Sequence, residues 1–150
     1  MHLNRRHFLI GLSATAALLP KAALAREPVV FQTNGIAING SDPVAYFKTN
    51  KPDSVFNSFS VDWNSAEWNF DTSENAQDFQ ADPIKYAPLF GGYCAYAASL
   101  GYLAPTVPEA WTIYEGKLYL NANLRARELW LKDIPGNIAK GMNNWPQILG

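Results

Sequence analysis

The stretch KYAPLFGGYCAYAASLG, residues 85–101, is the segment around which the rest of the sequence is organised. It contains the only cysteine of the chain, Cys94, shortly after the pair Gly91-Gly92. Adjacent glycines allow a backbone with positive φ, or a close approach that a Cβ would prevent. The small residues after the cysteine predict a helix or tight segment that packs closely against its neighbours.

The segment before this stretch predicts a β-hairpin followed by a helix. Two short alternating runs, residues 59–63 and 67–70, meet at Asn64-Ser65, which is typical of a hairpin. A helix is predicted over residues 73–81, and Pro83 is expected to end it. A loop is expected at residues 48–54.

The segment after it follows the same plan. Runs at residues 110–114 and 117–121 are expected to pair across Glu115-Gly116, and a helix is predicted over residues 124–132. Asn121 or Asn123 is expected to cap that helix.

Together these patterns predict an α+β fold, in which a small antiparallel sheet is built from two hairpin-plus-helix units and helices pack on it. Phe79 and Trp130 take matching positions in the two helices, which is consistent with an internal duplication. The segment containing Pro135 is expected to stop the second helix, and a last short helix is predicted at residues 138–144.

The first 25 residues predict an export signal. They contain Asn4-Arg5-Arg6-His7-Phe8-Leu9, an apolar run at residues 8–19 and an Ala23-Leu24-Ala25 cleavage site. The paired arginines resemble the twin-arginine signal, although a general secretory peptide with two arginines has the same outline. The expected partner during export is the twin-arginine translocase, the expected location is the bacterial periplasm, and the mature chain is expected to be one domain over residues 26–150 without a membrane span.

Composition narrows the functions open to the mature chain. Removal of the signal leaves nine basic against 13 acidic side chains, a net charge of −4 with no basic run, which argues against nucleic-acid binding. Both histidines, His2 and His7, lie in the signal. The mature chain therefore lacks imidazole for acid–base catalysis or metal binding, and its single cysteine cannot form an internal disulfide.

Several motifs resemble the YHS domain, a small module found beside copper-transporting ATPases and in some monooxygenase subunits. The similarity covers about residues 36–86, and residues 87–150 are similar to the extension of a longer, exported group of YHS-domain proteins. The motifs are Asp42-Pro43-Val44, Trp68-Asn69-Phe70, Phe79-Gln80-Ala81-Asp82-Pro83 and Lys85-Tyr86.

The resemblance implies a binding domain linked to metals, with copper or another transition metal as the expected ligand. The metal-associated YHS form carries cysteines at positions where this chain has Ala45, Asp71 and Asn75. Cys94 is therefore the first candidate metal ligand of this chain, and a site shared between the two chains of a homodimer would bring two such thiols together. The alternative is that Cys94 is a small buried residue of the core.

Four other side chains are candidate ligands. Asp42 and Asp71 would form a carboxylate pair if they met in space, or would each cap a turn or helix. Tyr93 and Met142 offer a phenolate and a thioether. The seven tyrosines line an aromatic pocket or belong to the core and its rim: Tyr46, Tyr86, Tyr93, Tyr96, Tyr102, Tyr114 and Tyr119.

Three functions remain open on the sequence. The first is a periplasmic, non-catalytic YHS-type protein that binds or handles copper. The second is a protein-interaction module that has lost the metal site and binds a periplasmic partner. The third is an accessory subunit of an oxidoreductase, by analogy with YHS segments in oxygenases.

Overall fold

The computed structural model describes residues 25–51 and 59–150. The predicted signal peptide therefore lies almost entirely outside the described residues, as do residues 52–54 of the loop expected at residues 48–54. The strands, in chain order, are β1 (Gln32–Thr33), β2 (Ile36–Ala37), β3 (Phe59–Trp63), β4 (Ala66–Phe70), β5 (Trp111–Tyr114) and β6 (Lys117–Leu120). The helices are α1 (Ala45–Lys48), α2 (Ser73–Ala81), α3 (Pro83–Tyr86), α4 (Ala95–Leu100), α5 (Leu124–Leu131) and α6 (Ile134–Asn144).

This architecture confirms the α+β class, but the strands are more numerous than expected and form two sheets. Strands β1, β2, β4 and β3 form one four-stranded sheet in that order, and β5 and β6 form a separate antiparallel pair. The pairing of β2 with β4 is parallel, so the first sheet is mixed where an antiparallel one was expected. The physical reason for the difference is the short strand β2, which precedes the first hairpin and joins its inner strand.

Within the part of the chain that the structure describes, the second unit has no counterpart of this added strand. The chain that would take the place of β2 beside β6 contains Pro88, at the start of the 3₁₀ turn Leu89–Gly92. Proline has no backbone N–H to donate to a strand ladder, so this segment cannot extend the sheet as β2 does. The two hairpins belong to different sheets.

The two predicted hairpin-plus-helix units are present at a constant spacing. The hairpin turns Asn64-Ser65 and Glu115-Gly116 both have positive φ, as two-residue hairpin turns require. The helix caps Thr72 and Asn123 each accept a hydrogen bond from the backbone N–H three residues on. The matching turn and cap residues of the two units lie 51 positions apart in the chain, which is consistent with the predicted internal duplication.

Two helix boundaries differ from the predictions. Helices α2 and α5 end at Ala81 and Leu131, within one residue of the predicted ends, but Pro83 and Pro135 also lie in the first turns of new helices, α3 and α6. The aspartates before them, Asp82 and Asp133, are the N-caps, and each accepts a bond from the N–H three residues on. Proline is favoured in a first turn because the missing N–H would have no partner there. Helix α6 therefore begins at Ile134, four residues before the predicted start.

Aromatic side chains fill the core of both hairpin-plus-helix units. Phe79 packs against Trp68, with ring centroids 5.0 Å apart, and both rings are buried. In the second unit, Trp130 packs against Tyr119 at 4.9 Å, and Trp130 is fully buried. Phe79 and Trp130 thus fill matching places, as their sequence positions predicted.

Within residues 25–51 and 59–150, no helix is both long and apolar enough to cross a membrane.

Candidate functional site

Cys94 is a buried helix cap. Its side chain is 1% exposed, and its Sγ accepts a hydrogen bond from the N–H of Ala97 at 3.4 Å, at the start of α4. The thiol donates in turn to Oδ1 of Asn121, also at 3.4 Å. These contacts favour the interpretation of Cys94 as a compact core residue over that of an accessible ligand.

Asn121, which accepts the hydrogen bond from the Cys94 thiol, was expected in a different role. It was a candidate cap of α5, but Asn123 makes that cap, and Asn121 is fully buried beside α4. Its Oδ1 accepts from both the thiol of Cys94 and the N–H of Tyr96, the latter at 3.0 Å. Its Nδ2 has no hydrogen-bond partner within the described residues. A polar residue that directly follows a buried strand was the available signal for this contact.

Asp42 is a buried carboxylate whose oxygens are both occupied. Oδ1 accepts from the N–H groups of Val44 and Ala45, at 2.8 and 3.1 Å. Oδ2 accepts from the N–H of Asp71 at 3.0 Å and from Nδ2 of Asn75 at 2.7 Å. Four donors compensate the burial of this charge, so Asp42 ties the turn before α1 to the end of β4.

Asp71 meets Asp42 through its backbone and not through its carboxylate. Its N–H donates to Asp42, while its own side chain is exposed. The two aspartates are therefore neighbours, but they do not form the carboxylate pair that one of the sequence interpretations required. Capping, the other interpretation, describes Asp42 well.

Tyr93 is held by another hydrogen bond, and Met142 is exposed at the surface. The Tyr93 hydroxyl donates to the carbonyl oxygen of Pro28 at 2.9 Å. Burial raises the pKa of Tyr93 above its usual value, and the nearby charge of Glu27 raises it further, so its phenolate is disfavoured. Met142 lies on α6 with 45% of its surface exposed.

These placements do not fit a copper site within one chain. In the part of the chain that the structure describes, no three His, Cys, Asp or Glu side chains are grouped so as to hold a metal ion. The oxygens of Asp42 already accept four hydrogen bonds, and one thiol cannot close a tetrahedral site. Because Cys94 is buried, it is also not placed to meet a second copy of itself across a dimer.

The extended segment of residues 27–32, which we call the strap, crosses the paired glycines. The N–H of Phe31 donates to the carbonyl oxygen of Gly91 at 2.9 Å. A Cβ on Gly91 would overlap the carbonyl oxygen of Val29, and one on Gly92 would lie 2.5 Å from Cγ2 of Ile38. Both glycines have positive φ, so they supply the left-handed backbone and the close approach that the sequence predicted.

A groove of about 510 Å³ lies along one side of the strap. We call it the Tyr93 groove. Its walls are the strap on one side and residues 101–105 on the other, with Tyr93 and Ile148 completing it. The described residues that line it are Glu27, Pro28, Phe31, Gln32, Tyr93, Gly101, Tyr102, Leu103, Ala104, Pro105 and Ile148.

A smaller cleft of about 200 Å³ lies along the other side. Val29 and Val30 of the strap line it, together with rings that include Trp63, Trp68 and Trp145. Ligand sites usually have volumes of about 300–1,000 Å³. The Tyr93 groove falls within that range and the cleft falls below it, so the groove is the stronger candidate site.

Sequence analysis identified only part of this groove. Tyr93 and Tyr102 were expected either in the core or in an aromatic pocket, and both line the groove. No motif in the sequence pointed to Phe31 or Glu27 as site residues. Their place becomes visible only when the strap meets residues that lie far from it in the sequence.

Comparison of this chain with protein-family models, with curated proteins and with solved structures finds no match in any of the three. The site is therefore interpreted from its own residues.

Proposed function

We propose that this chain is an exported, non-catalytic binding domain of the YHS type, and that it binds a small organic ligand in the Tyr93 groove. The observation that carries the proposal is the groove itself, about 510 Å³ in volume and lined mainly by apolar and aromatic side chains. Such a lining with a few polar groups is typical of small-molecule sites. Copper handling is the weaker proposal, because Cys94, Asp42 and Tyr93 are committed to other contacts and the described residues contain no group of ligands for a metal ion.

The groove has walls that are held in place before any ligand binds. On the strap side, the N–H of Glu27 donates to the carbonyl oxygen of Leu149 at 2.8 Å, and Pro28 accepts the hydroxyl of Tyr93. On the opposite side, the N–H of Tyr102 donates to Ala97 at 3.1 Å, and Ala104 accepts from the N–H of Cys94 at 3.0 Å. A preformed site loses less conformational entropy when it binds a ligand.

Cys94 helps to shape the groove without contacting a ligand through its thiol. Its backbone N–H anchors the loop that forms one wall of the groove, and its side chain begins α4. The sequence stretch that contains it therefore shapes the site while the thiol itself stays buried. The lack of histidine in the mature chain supports a binding role over acid–base catalysis.

The test is an NMR titration of the mature protein with three probes, indole, benzyl alcohol and choline. We expect at least one probe to shift the backbone amide signals of Tyr102, Leu103 and Ala104 in a saturable way. A variant with a filled groove, Ala104→Trp, should lose these shifts. The matched control, Leu131→Trp, places the same ring on an exposed part of α5 that does not line the groove, and it should bind as the wild type does.

The proposal would be overturned if none of the probes shifted these amides. It would also be overturned if Ala104→Trp, shown to be folded by its amide spectrum, bound the probes as well as Leu131→Trp does.

A further inference from the structure

We infer that the Tyr93 groove, if it is the binding site proposed above, selects an organic ammonium ion. Three aromatic rings line it, those of Phe31, Tyr93 and Tyr102, together with the carboxylate of Glu27. None of the described residues that line it is Lys or Arg. Aromatic faces and a carboxylate are the groups that attract a cation with apolar substituents.

The aromatic part of the groove has a buried and an exposed component. Phe31 and Tyr93 are 8% and 7% exposed, with ring centroids 5.6 Å apart, so they form a fixed apolar surface. Tyr102 is 53% exposed and lies on the opposite wall. Because Tyr102 lines the groove and about half of its surface is exposed, it offers aromatic surface that a ligand would cover. Covering it would remove apolar surface from water as well as placing a cation over a π-face.

Glu27 supplies the charge. Its backbone is held by Leu149, which fixes where its side chain begins, and the side chain itself is exposed at the groove. Its negative charge acts on the Tyr93 phenol, whose pKa is raised first by burial and then by Glu27. Glu27 and Tyr93 line the same groove, so one ligand there would lie beside both. Arg26 precedes Glu27 in the chain but does not line the groove.

A hydrophobic ligand without charge would use the rings but not the carboxylate, and an anion would be repelled by it. A simple metal ion would find one exposed carboxylate, which is too few ligands for tight binding. An alkylated ammonium ion is the class that uses both features of the groove, because its charge meets Glu27 while its methyl groups contact the rings. The net charge of −4 on the mature chain also favours the approach of a cation.

The test compares two probes of the same shape, choline and its uncharged isostere 3,3-dimethylbutan-1-ol, by NMR titration of the mature protein. We expect choline to bind about tenfold more tightly than the isostere. Glu27→Gln should remove most of this preference, and Tyr102→Leu should reduce it while keeping an apolar side chain at the wall. Glu109→Gln is the matched control, since it removes one negative charge at an exposed position that does not line the groove.

The outcomes separate this inference from the proposed function. Equal binding of the two probes in the groove would overturn the ammonium inference and leave the groove as a site for neutral ligands. A preference for choline that persists in Glu27→Gln and Tyr102→Leu would overturn the assignment to these residues. If neither probe nor the neutral aromatic probes bound in the groove, both the inference and the proposed function would be wrong.

Discussion

Asp42 and Cys94 occupy similar positions ahead of the two hairpin-plus-helix units. Each lies two residues after a triplet with positive φ, Ile38–Gly40 for Asp42 and residues 90–92 for Cys94. Each side chain accepts a hydrogen bond from a backbone N–H three residues on. The cysteine that is the most conspicuous residue in the sequence therefore takes the place of a structural aspartate.

The two positions also connect to their hairpins in the same way. Asp42 accepts from the backbone of Asp71, directly after β4, and the thiol of Cys94 donates to Asn121, directly after β6. The similarity of the two units thus extends to the turns and short helices before each hairpin, beyond the hairpin-plus-helix units that the sequence predicted. One unit uses a charged acceptor at this junction, and the other uses a thiol together with an amide.

The first prediction concerns Asp42. Asp42→Ala should lower the free energy of unfolding by about 4 kcal/mol, because four donors lose a charged acceptor in a buried place. Urea unfolding monitored by tryptophan fluorescence gives this value. The control is Asp71→Ala, which removes an exposed carboxylate and should change stability by no more than about 0.5 kcal/mol. Similar losses in the two variants would contradict the structural role of Asp42.

The second prediction concerns the thiol of Cys94. A disulfide reagent should react with it about 100-fold more slowly in the native protein than in urea, because the side chain is 1% exposed. Cys94→Ala should cost about 1 kcal/mol through the lost cap, and Cys94→Ser less, since serine can cap a helix. Copper uptake should be equal in the wild type and Cys94→Ser. Rapid reaction of the native thiol, or loss of copper in the serine variant, would restore the metal interpretation.

The third prediction compares two glycines: one is needed for its positive φ alone, and the other also because a Cβ would not fit. Gly91 has φ of 62° and no room for a Cβ beside Val29, whereas Gly116 has φ of 73° and open space around it. Gly116→Ala should therefore cost about 1 kcal/mol, which is the conformational penalty alone. Gly91→Ala should cost about 3 kcal/mol or more, because the strap must also move.

Thermal or urea unfolding of both variants measures this difference, and amide shifts of the strap show where it arises. Displacement of the strap should also weaken probe binding in the Tyr93 groove, while Gly116→Ala should leave binding unchanged. Equal destabilisation by the two substitutions would mean that the strap does not depend on the close approach at Gly91.

The local parts of the fold could be predicted from the sequence, because their signals are local. Hairpin turns at Asn64-Ser65 and Glu115-Gly116, and the helix Ser73–Ala81, follow from turn residues, alternation and caps within a few positions. The starts of α3 and α6 were missed because a proline after an aspartate is compatible with both a helix stop and a helix start. The choice depends on whether the following residues can continue to pack, which tertiary contacts decide.

The candidate site was harder to predict because it forms between distant segments. The parallel pairing of β2 with β4 joins residues on either side of α1, and no periodicity reports it. In the same way, Glu27 and Phe31 line one groove with Tyr102, which lies far from them in the sequence. The rarity of cysteine drew attention to Cys94, whereas the groove is built from residue types that are common in any core.

The last prediction concerns the pH dependence of stability at high pH. Tyr46 is fully buried, and its hydroxyl donates to the carbonyl oxygen of Pro108 at 3.0 Å. Burial raises the pKa of Tyr46 well above its usual value, the neighbouring Ser41 side chain partly offsets this rise, and the charge of Glu109 adds to it. In the unfolded chain, a tyrosine has a pKa of about 10.

The sign of the effect follows from these two states. Below about pH 10 both states keep the proton, so the contribution of Tyr46 to stability is complete; above it only the unfolded chain releases the proton, and stability falls by about 1.4 kcal/mol per pH unit. Tyr46→Phe should be less stable than the wild type at about pH 9, because Pro108 loses its donor. Urea unfolding between about pH 9 and about pH 11 should show the gap between the two proteins narrowing as pH rises. A gap that stays constant would mean that Tyr46 ionises as readily in the folded protein as in the unfolded chain.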